Sequence, residues 1–338
     1  MSNPVLAELR RGELVESFHR GAFAVVDTGG RVVRSVGDVD RPVYPRSAVK
    51  GLQALPLVAS GAADRFGLDD AELALACASH GGEPAHVEAA ARMLAKAGLD
   101  AGALECGAHW PSCQPAAHAL AARGEQPHAL HNNCSGKHAG FACVGCLMAG
   151  APEAARDFLR GYVEPGHPVM REVSAAIEAA TGVRLADAPR ATDGCSIPTF
   201  ALPLRALALG FARFGTGVGL APGHAHAAAR LRAAVAAHPF MVAGSGRLDT
   251  VLMSHWRERV FCKVGAEGVY CAALPELGLG LALKMDDGNT ARAAEVALVA
   301  LVASLLPLSE ADAAVIAPLK DVTLTNWNGR VVGRLSAT

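Results

Sequence analysis

The sequence predicts an α+β fold: strands near both ends of the chain build an antiparallel sheet, and a long helical stretch lies between them. Three observations carry this expectation. Phe23-Ala24-Val25-Val26 and Arg31-Val32-Val33 flank the glycine turn Asp27-Thr28-Gly29-Gly30, the signature of a β-hairpin. A second hairpin closes the chain, with residues 322–324 and 331–334 around Asn326-Trp327-Asn328-Gly329. Between the two, alanine-rich segments repeat apolar residues at helical spacing. A doubly wound sheet would instead alternate strand and helix along the chain.

Taken in order, the helical spacing predicts helices over 70–78, 85–97, 139–148, 152–162, 168–180, 225–237 and 290–305. A third strand pair is expected at 260–264 and 269–274 around Gly265-Ala266-Glu267-Gly268, followed by a strand over 280–284. No internal repeat or low-complexity linker interrupts the 338 residues, so 1–338 reads as a single two-lobed catalytic domain with no internal boundary drawn.

Charge narrows the partners. With 31 Lys+Arg against 32 Asp+Glu the net charge is -1, which gives no electrostatic footprint for nucleic acid or an anionic membrane. A small neutral or zwitterionic molecule fits better. The first residues lack the basic-then-apolar order of a signal peptide, and the most apolar stretch, 296–308, is shorter than the roughly 20 residues a bilayer requires. The expectation is a soluble, cytoplasmic chain. Nine cysteines, an odd number, point to core, metal or catalytic thiols rather than a disulfide framework.

Ser47-Ala48-Val49-Lys50 is the sharpest local pattern. At i, i+3 on a helix the hydroxyl and the amine share one face, which is nucleophile-plus-base geometry. A lysine takes a serine proton only when burial or a neighbouring cation lowers its pKa, and the apolar run that follows supplies such burial. Alone, so short a motif also recurs by chance.

His131-Asn132-Asn133-Cys134-Ser135-Gly136-Lys137-His138 concentrates polar, thiol and amine groups just before an apolar helix. It reads either as a helix cap or as a site where a thiolate binds a soft metal or attacks a carbonyl, with Gly136 letting the backbone approach a ligand. Asp193-Gly194-Cys195-Ser196 is similar in kind. If the two loops met, Cys134 and Cys195 would make half of a tetrahedral zinc site. Cys143-Val144-Gly145-Cys146 has no second pair and no redox context, so it reads as core packing. Lys284 to Asn289 reads as a turn capping the next helix rather than a calcium loop. The remaining histidines are scattered, and His224-x-His226 sits at a helix start.

Taken together, Arg46 to Lys50, Ala78-Ser79-His80-Gly81-Gly82-Glu83-Pro84, Asn133 to His138, Asp193 to Pro198, Gly244 to Thr250, Lys263 to Val269, Leu283 to Gly288 and the Asn326-Trp327 hairpin resemble the Rhizobium etli-type (class 3) L-asparaginases. That family is similar in fold to serine β-lactamases and serine-dependent glutaminases, which implies an antiparallel sheet flanked by helices with an adjoining helical lobe. The resemblance also implies hydrolysis of L-asparagine to L-aspartate and ammonia by a homodimer. Position by position, it makes Ser47 and Lys50 one catalytic pair and Ser79 and Lys263 a second. Cys134, Lys137 and Cys195 match a zinc site, and Asp193 an acid beside it. Cys143 and Cys146 depart from the plain aliphatics expected there.

On this reading Ser47 attacks the amide carbon, neutral Lys50 accepts its proton, and Ser79 with Lys263 relays protons. Backbone amides at the Ser47 helix start or along the Lys263 strand hold the oxyanion. Arg46, His80, Asn133 and Asp193 are the candidate substrate-binding residues, with Arg46 or His80 set against the α-carboxylate. Zinc would orient Asp193 and the substrate, and its occupancy should fall at mildly acidic pH. The alternatives are a glutaminase, a β-lactamase-like hydrolase, since Lys263-Val264-Gly265 is similar to a Lys-Thr-Gly strand, and a ligand-binding sensor without turnover.

Overall fold

Strand β2 organises the molecule. The computed structural model describes residues 2–338. Its main sheet contains β1 (Val5–Arg11), β2 (Leu14–Asp27), β3 (Val32–Val36), β4 (Phe261–Val264), β5 (Val269–Leu274), β6 (Leu279–Met285), β7 (Asp321–Thr325) and β8 (Val331–Ala337). The strand order is β7-β8-β1-β2-β6-β5-β4, with β3 also on β2, and every pairing is antiparallel. The first half of β2 alternates exposed and partly buried residues and pairs with β1. From Gly21 to Val26 it is buried throughout and lies between β6 and β3. This change from alternating to continuous burial marks where helices cover the sheet.

The helix Leu204–Thr216 lies across β6, β2 and β5, with Ala208, Phe211 and Ala212 against Gly280 of β6 and Gly215 against Ala273 of β5. The helix Glu295–Ala303 packs on β8 and β1. The helices Asp70–Ala76, Pro84–Lys96, Ser135–Ala149, Pro168–Thr181 and Pro222–Ala237 gather beside the sheet, and one continuous apolar core runs through both parts. The α+β expectation therefore holds, with an antiparallel sheet flanked by helices and an adjoining helical lobe.

Differences from expectation are local. The segment expected as one helix over 152–162 stops at Phe158, because Gly161 takes a left-handed φ of 70° and Tyr162 turns fully into the core. The expected 290–305 helix opens with a π turn, Thr290–Ala294, before Glu295. Cys143 and Cys146 are buried in their helix, their thiols facing the Met93 and Ala97 carbonyls, so core packing is what the structure shows. Asn289 caps the following turn through the Arg292 N–H, as a capping turn should. Among the described residues no helix is long and apolar enough to cross a membrane.

Candidate active site

Ser47 lies on a single 3₁₀ turn, Arg46–Val49, whose closing bond runs from the Lys50 N–H to the Ser47 carbonyl. In 3₁₀ geometry residues i and i+3 eclipse, so Ser47 and Lys50 share a face. Arg46 takes a left-handed φ of 52°, a strained conformation for a residue with a Cβ. The turn presses against the end of β4 so closely that a Cβ on Gly265 would lie 2.5 Å from the Pro45 carbonyl oxygen. Only glycine permits that approach, and it brings the Lys263 strand beside the serine turn.

Lys50 is 1% exposed. Its Nζ donates to the Ala78 carbonyl (2.5 Å), the Ser79 Oγ (2.9 Å) and the Asn133 carbonyl (3.4 Å). Burial lowers the Lys50 pKa, the Lys137 cation adds to that, and the Cys134 and Cys195 thiols oppose it. The hydroxyl that Lys50 holds is therefore Ser79, not its sequence neighbour. Among the described residues no hydrogen bond reaches the Ser47 hydroxyl, and none joins Ser79 to Lys263.

Lys263 is fully buried on β4, its Nζ donating to the Val264 carbonyl at 2.9 Å. Burial lowers its pKa to about 8, with Asp249 opposing and Lys50 reinforcing. Both lysines are thus fully buried with depressed pKa values, and the charge of Lys50 is one of the causes at Lys263.

His80 is a tie within the fold. The Gly82 N–H donates to its Nδ1, so Nε2 carries the proton and donates to Ser135 Oγ at 2.9 Å. Ser135 passes its own proton to the Leu130 carbonyl. Burial, then the neighbouring His86, pushes the His80 pKa well down, so the ring stays neutral. Of the two residues set against a substrate carboxylate, Arg46 is the one that carries charge. Its Nε donates to Asp193 Oδ1 at 2.7 Å, and its side chain stays 29% exposed. Burial pushes Asp193 up, but the bonds from Arg46 and Gly194 and the charge of Lys137 hold it below its ordinary value. Asn133 contributes its carbonyl to Lys50 and His80 and its Oδ1 to the Cys134 thiol.

The two cysteine loops do meet. Lys137 Nζ lies 3.0 Å from Cys195 Sγ. A hydrogen bond from Cys195 pulls the Cys134 thiol well below its usual range, and the Lys50 and Lys137 cations add to it against burial. Cys195 is pushed up by the same bond, so the two sulfurs titrate as one coupled pair. Burial works against the Lys137 ammonium, yet the two sulfurs raise its pKa. Two sulfurs and an amine in mutual contact are a donor set that suits zinc, with one position left for another ligand. Among the described residues no group of three or more His, Cys, Asp or Glu side chains is arranged for a metal, so such a site depends on the lysine amine.

A family model described as L-asparaginase II matches residues 7–337. The chain belongs to the L-asparaginase II family. Membership supports an asparaginase-type amidohydrolase. Among solved structures, this asparaginase-family chain is similar to a β-lactamase from Mycobacterium bovis at 14% identity and a TM-score of 0.40, over 84% of this chain and 94% of that one. It is also similar to a structure described as Mglu, at 14% identity and a TM-score of 0.36, over 86% of this chain and 69% of that one. A comparison with curated protein sequences gave no match.

Several residues of this asparaginase-family site had no role assigned from sequence. His109 Nε2 accepts the Asn133 N–H, and Asp249 accepts both the Val264 N–H and the Tyr270 hydroxyl. An aspartate among the apolar residues Leu248, Val251 and Leu252 was the available signal for the second. Gly136 serves packing, not a ligand: a Cβ there would lie 2.4 Å from Leu75 Cγ and its carbonyl oxygen.

Proposed function

We propose that the protein is an L-asparaginase that hydrolyses the side-chain amide of L-asparagine with Ser47 as nucleophile. The observation that supports this best is Lys50, a fully buried amine of lowered pKa, eclipsed with Ser47 and bonded to Ser79. Neutral Lys50 takes the Ser47 proton as Oγ attacks the amide carbon. The Ser47 N–H, which donates to no acceptor among the described residues, faces the developing oxyanion. The carbon–nitrogen bond then breaks, and the proton on Lys50 passes through Ser79 Oγ to the departing nitrogen, which leaves as ammonia. Water attacks the resulting ester and gives its proton to Lys50, and Lys50 returns that proton to Ser47 Oγ as the ester bond breaks and aspartate leaves. Lys263, with its pKa near 8, supplies a second base.

The charges fit a zwitterion. Arg46, one edge of which is held by Asp193, offers its remaining donors to the α-carboxylate, and Asp193 attracts the α-ammonium. Zinc held by Cys134, Cys195 and the deprotonated Lys137 amine would supply a fixed positive charge beside these residues. The proposal extends to a cytoplasmic homodimer, for which the exposed Phe18, Trp327 and Val331 offer apolar surface; sedimentation as a monomer removes that part.

Ammonia release measured in parallel with asparagine, glutamine and β-aspartyl peptides, beside nitrocefin turnover, tests the proposal. Asparagine is expected to be preferred, although the one methylene that separates it from glutamine is worth only about 1–3 kcal/mol. No ammonia from asparagine together with nitrocefin turnover would replace it with a β-lactamase.

A further inference from the structure

Behind Lys263 lies a buried carboxylate that the proposed chemistry does not use. Asp249 is 1% exposed and sits at the start of the helix Leu248–Trp256, which covers the outer edge of β4. An edge strand presents N–H groups with no partner strand, and these must find other acceptors. Here the helix provides them: the Cys262 N–H meets Met253 Sδ at 3.5 Å, and the Val264 N–H donates to Asp249 Oδ1 at 2.9 Å. The other carboxylate oxygen accepts the Tyr270 hydroxyl at 2.5 Å, and Tyr270 is the residue paired with Val264 across β4 and β5. Asp249 therefore clamps one rung of the sheet from both strands. The carbonyl of that same Val264 is the acceptor for Lys263 Nζ.

We propose that Asp249 is a positioning residue for Lys263, fixing the rung to which the amine is bonded and setting a buried negative charge beside it. The proposal rests on the catalytic reading of Lys263 given above. The groups around the lysine are Asp249 and Arg247 from the covering helix and its cap, Lys50 from the serine turn, and the thiols of Cys77, Cys134, Cys262 and Cys271. Glu295 adds a carboxyl near Asp249, pushed up to about 7 by burial and then by Asp249. Burial lowers the Lys263 pKa, and the Asp249 carboxylate is the largest influence holding it up. Replacing that carboxylate by an amide should lower it further.

The chain has six lysines (Lys50, Lys96, Lys137, Lys263, Lys284, Lys320), so lysine labelled with carbon-13 at Cε gives a spectrum in which Lys263→Arg assigns the Lys263 signal. In Asp249→Asn the Lys263 titration midpoint should fall by about one pH unit or more, because an opposite charge at close range is lost. Its kcat for asparagine should fall about tenfold or more with KM changed far less, as for a misplaced group that acts in the transition state. Tyr270→Phe keeps the carboxylate, so the midpoint should stay while kcat drops a few-fold. An unchanged midpoint in folded Asp249→Asn overturns the proposal. If that variant does not fold, unchanged kcat in Tyr270→Phe overturns it instead. Full activity in Lys263→Arg would remove the catalytic reading alone, and the midpoints would still decide whether Asp249 sets the charge on Lys263.

Discussion

The helix Ser135–Ala149 carries cysteines at its N-terminal cap and in its middle, and the two positions behave in opposite ways. Cys143, fully buried, has its thiol pushed up to about 12 by burial and meets only the Met93 carbonyl. Cys134, 5% exposed, is nearly as buried, yet its thiol is pulled well below its usual range by Cys195, Lys50 and Lys137. Burial alone makes an inert thiol. Burial together with cations and a hydrogen-bond donor favours the thiolate, which is the form that attacks carbon or binds a metal. The Cys-x-x-Cys motif was the more conspicuous pattern, but the lone cysteine has the reactive surroundings.

Variants at the two positions should separate by orders of magnitude. Ser47→Ala, in the charged cluster, is expected to cut kcat for asparagine by about 10³-fold or more, as losing a nucleophile does. Cys143→Ala should leave kcat within about twofold, and ammonia-release kinetics on both proteins check the contrast. Cys134→Ser is expected to lower activity by about 10- to 100-fold and to lose bound zinc, read by elemental analysis of the purified protein. Zinc-free protein with full activity would show that the thiolate serves no metal.

The lysines give the contrast a pH dependence. Lys263 has a folded pKa near 8 against an ordinary lysine value of 10.5, so the unfolded chain holds more protons between those values. Stability should therefore rise with pH through that window, because the buried ammonium is disfavoured below it. The rate should rise through about pH 8 as the neutral amine forms, and a flat profile in wild type would remove Lys263 as a base. At the quiet position of the helix, Cys143→Ala should cost about 1–2 kcal/mol in urea unfolding, the loss of one buried atom with partial relaxation. Alkylation of metal-stripped native protein is expected to modify Cys134 well before Cys143. Equal rates would show that the two positions do not differ.

The parts of the fold that were legible in the sequence are those set by local chemistry. Glycine turns between β-branched runs predict the β2–β3, β4–β5 and β7–β8 hairpins, and helical spacing predicts the helices beside the sheet. The helix Leu204–Thr216 escaped because glycine at 210 and 215 weakens its helical pattern; Thr181 and Leu52 crowd the first, where a Cβ would come within 3.1 Å of Thr181. Resemblance gave the members of the candidate site and paired Ser47 with Lys50 and Ser79 with Lys263, whereas the hydrogen bond present joins Lys50 to Ser79. Lys50 reaches Ser79 because a helix turn packs against a loop 29 positions away, a tertiary contact that no spacing rule contains. The bond from His80 to Ser135, 55 residues distant, was out of reach of the sequence for the same reason.

The central claim is that Ser47 carries the acyl group while Ser79 relays protons. Acid quenching during asparagine turnover, followed by peptide mass spectrometry, reads this directly. An aspartyl ester on the peptide that contains Ser47, absent in Ser47→Ala, is the predicted result. The same adduct found on Ser79, with Ser47 unmodified, would contradict it.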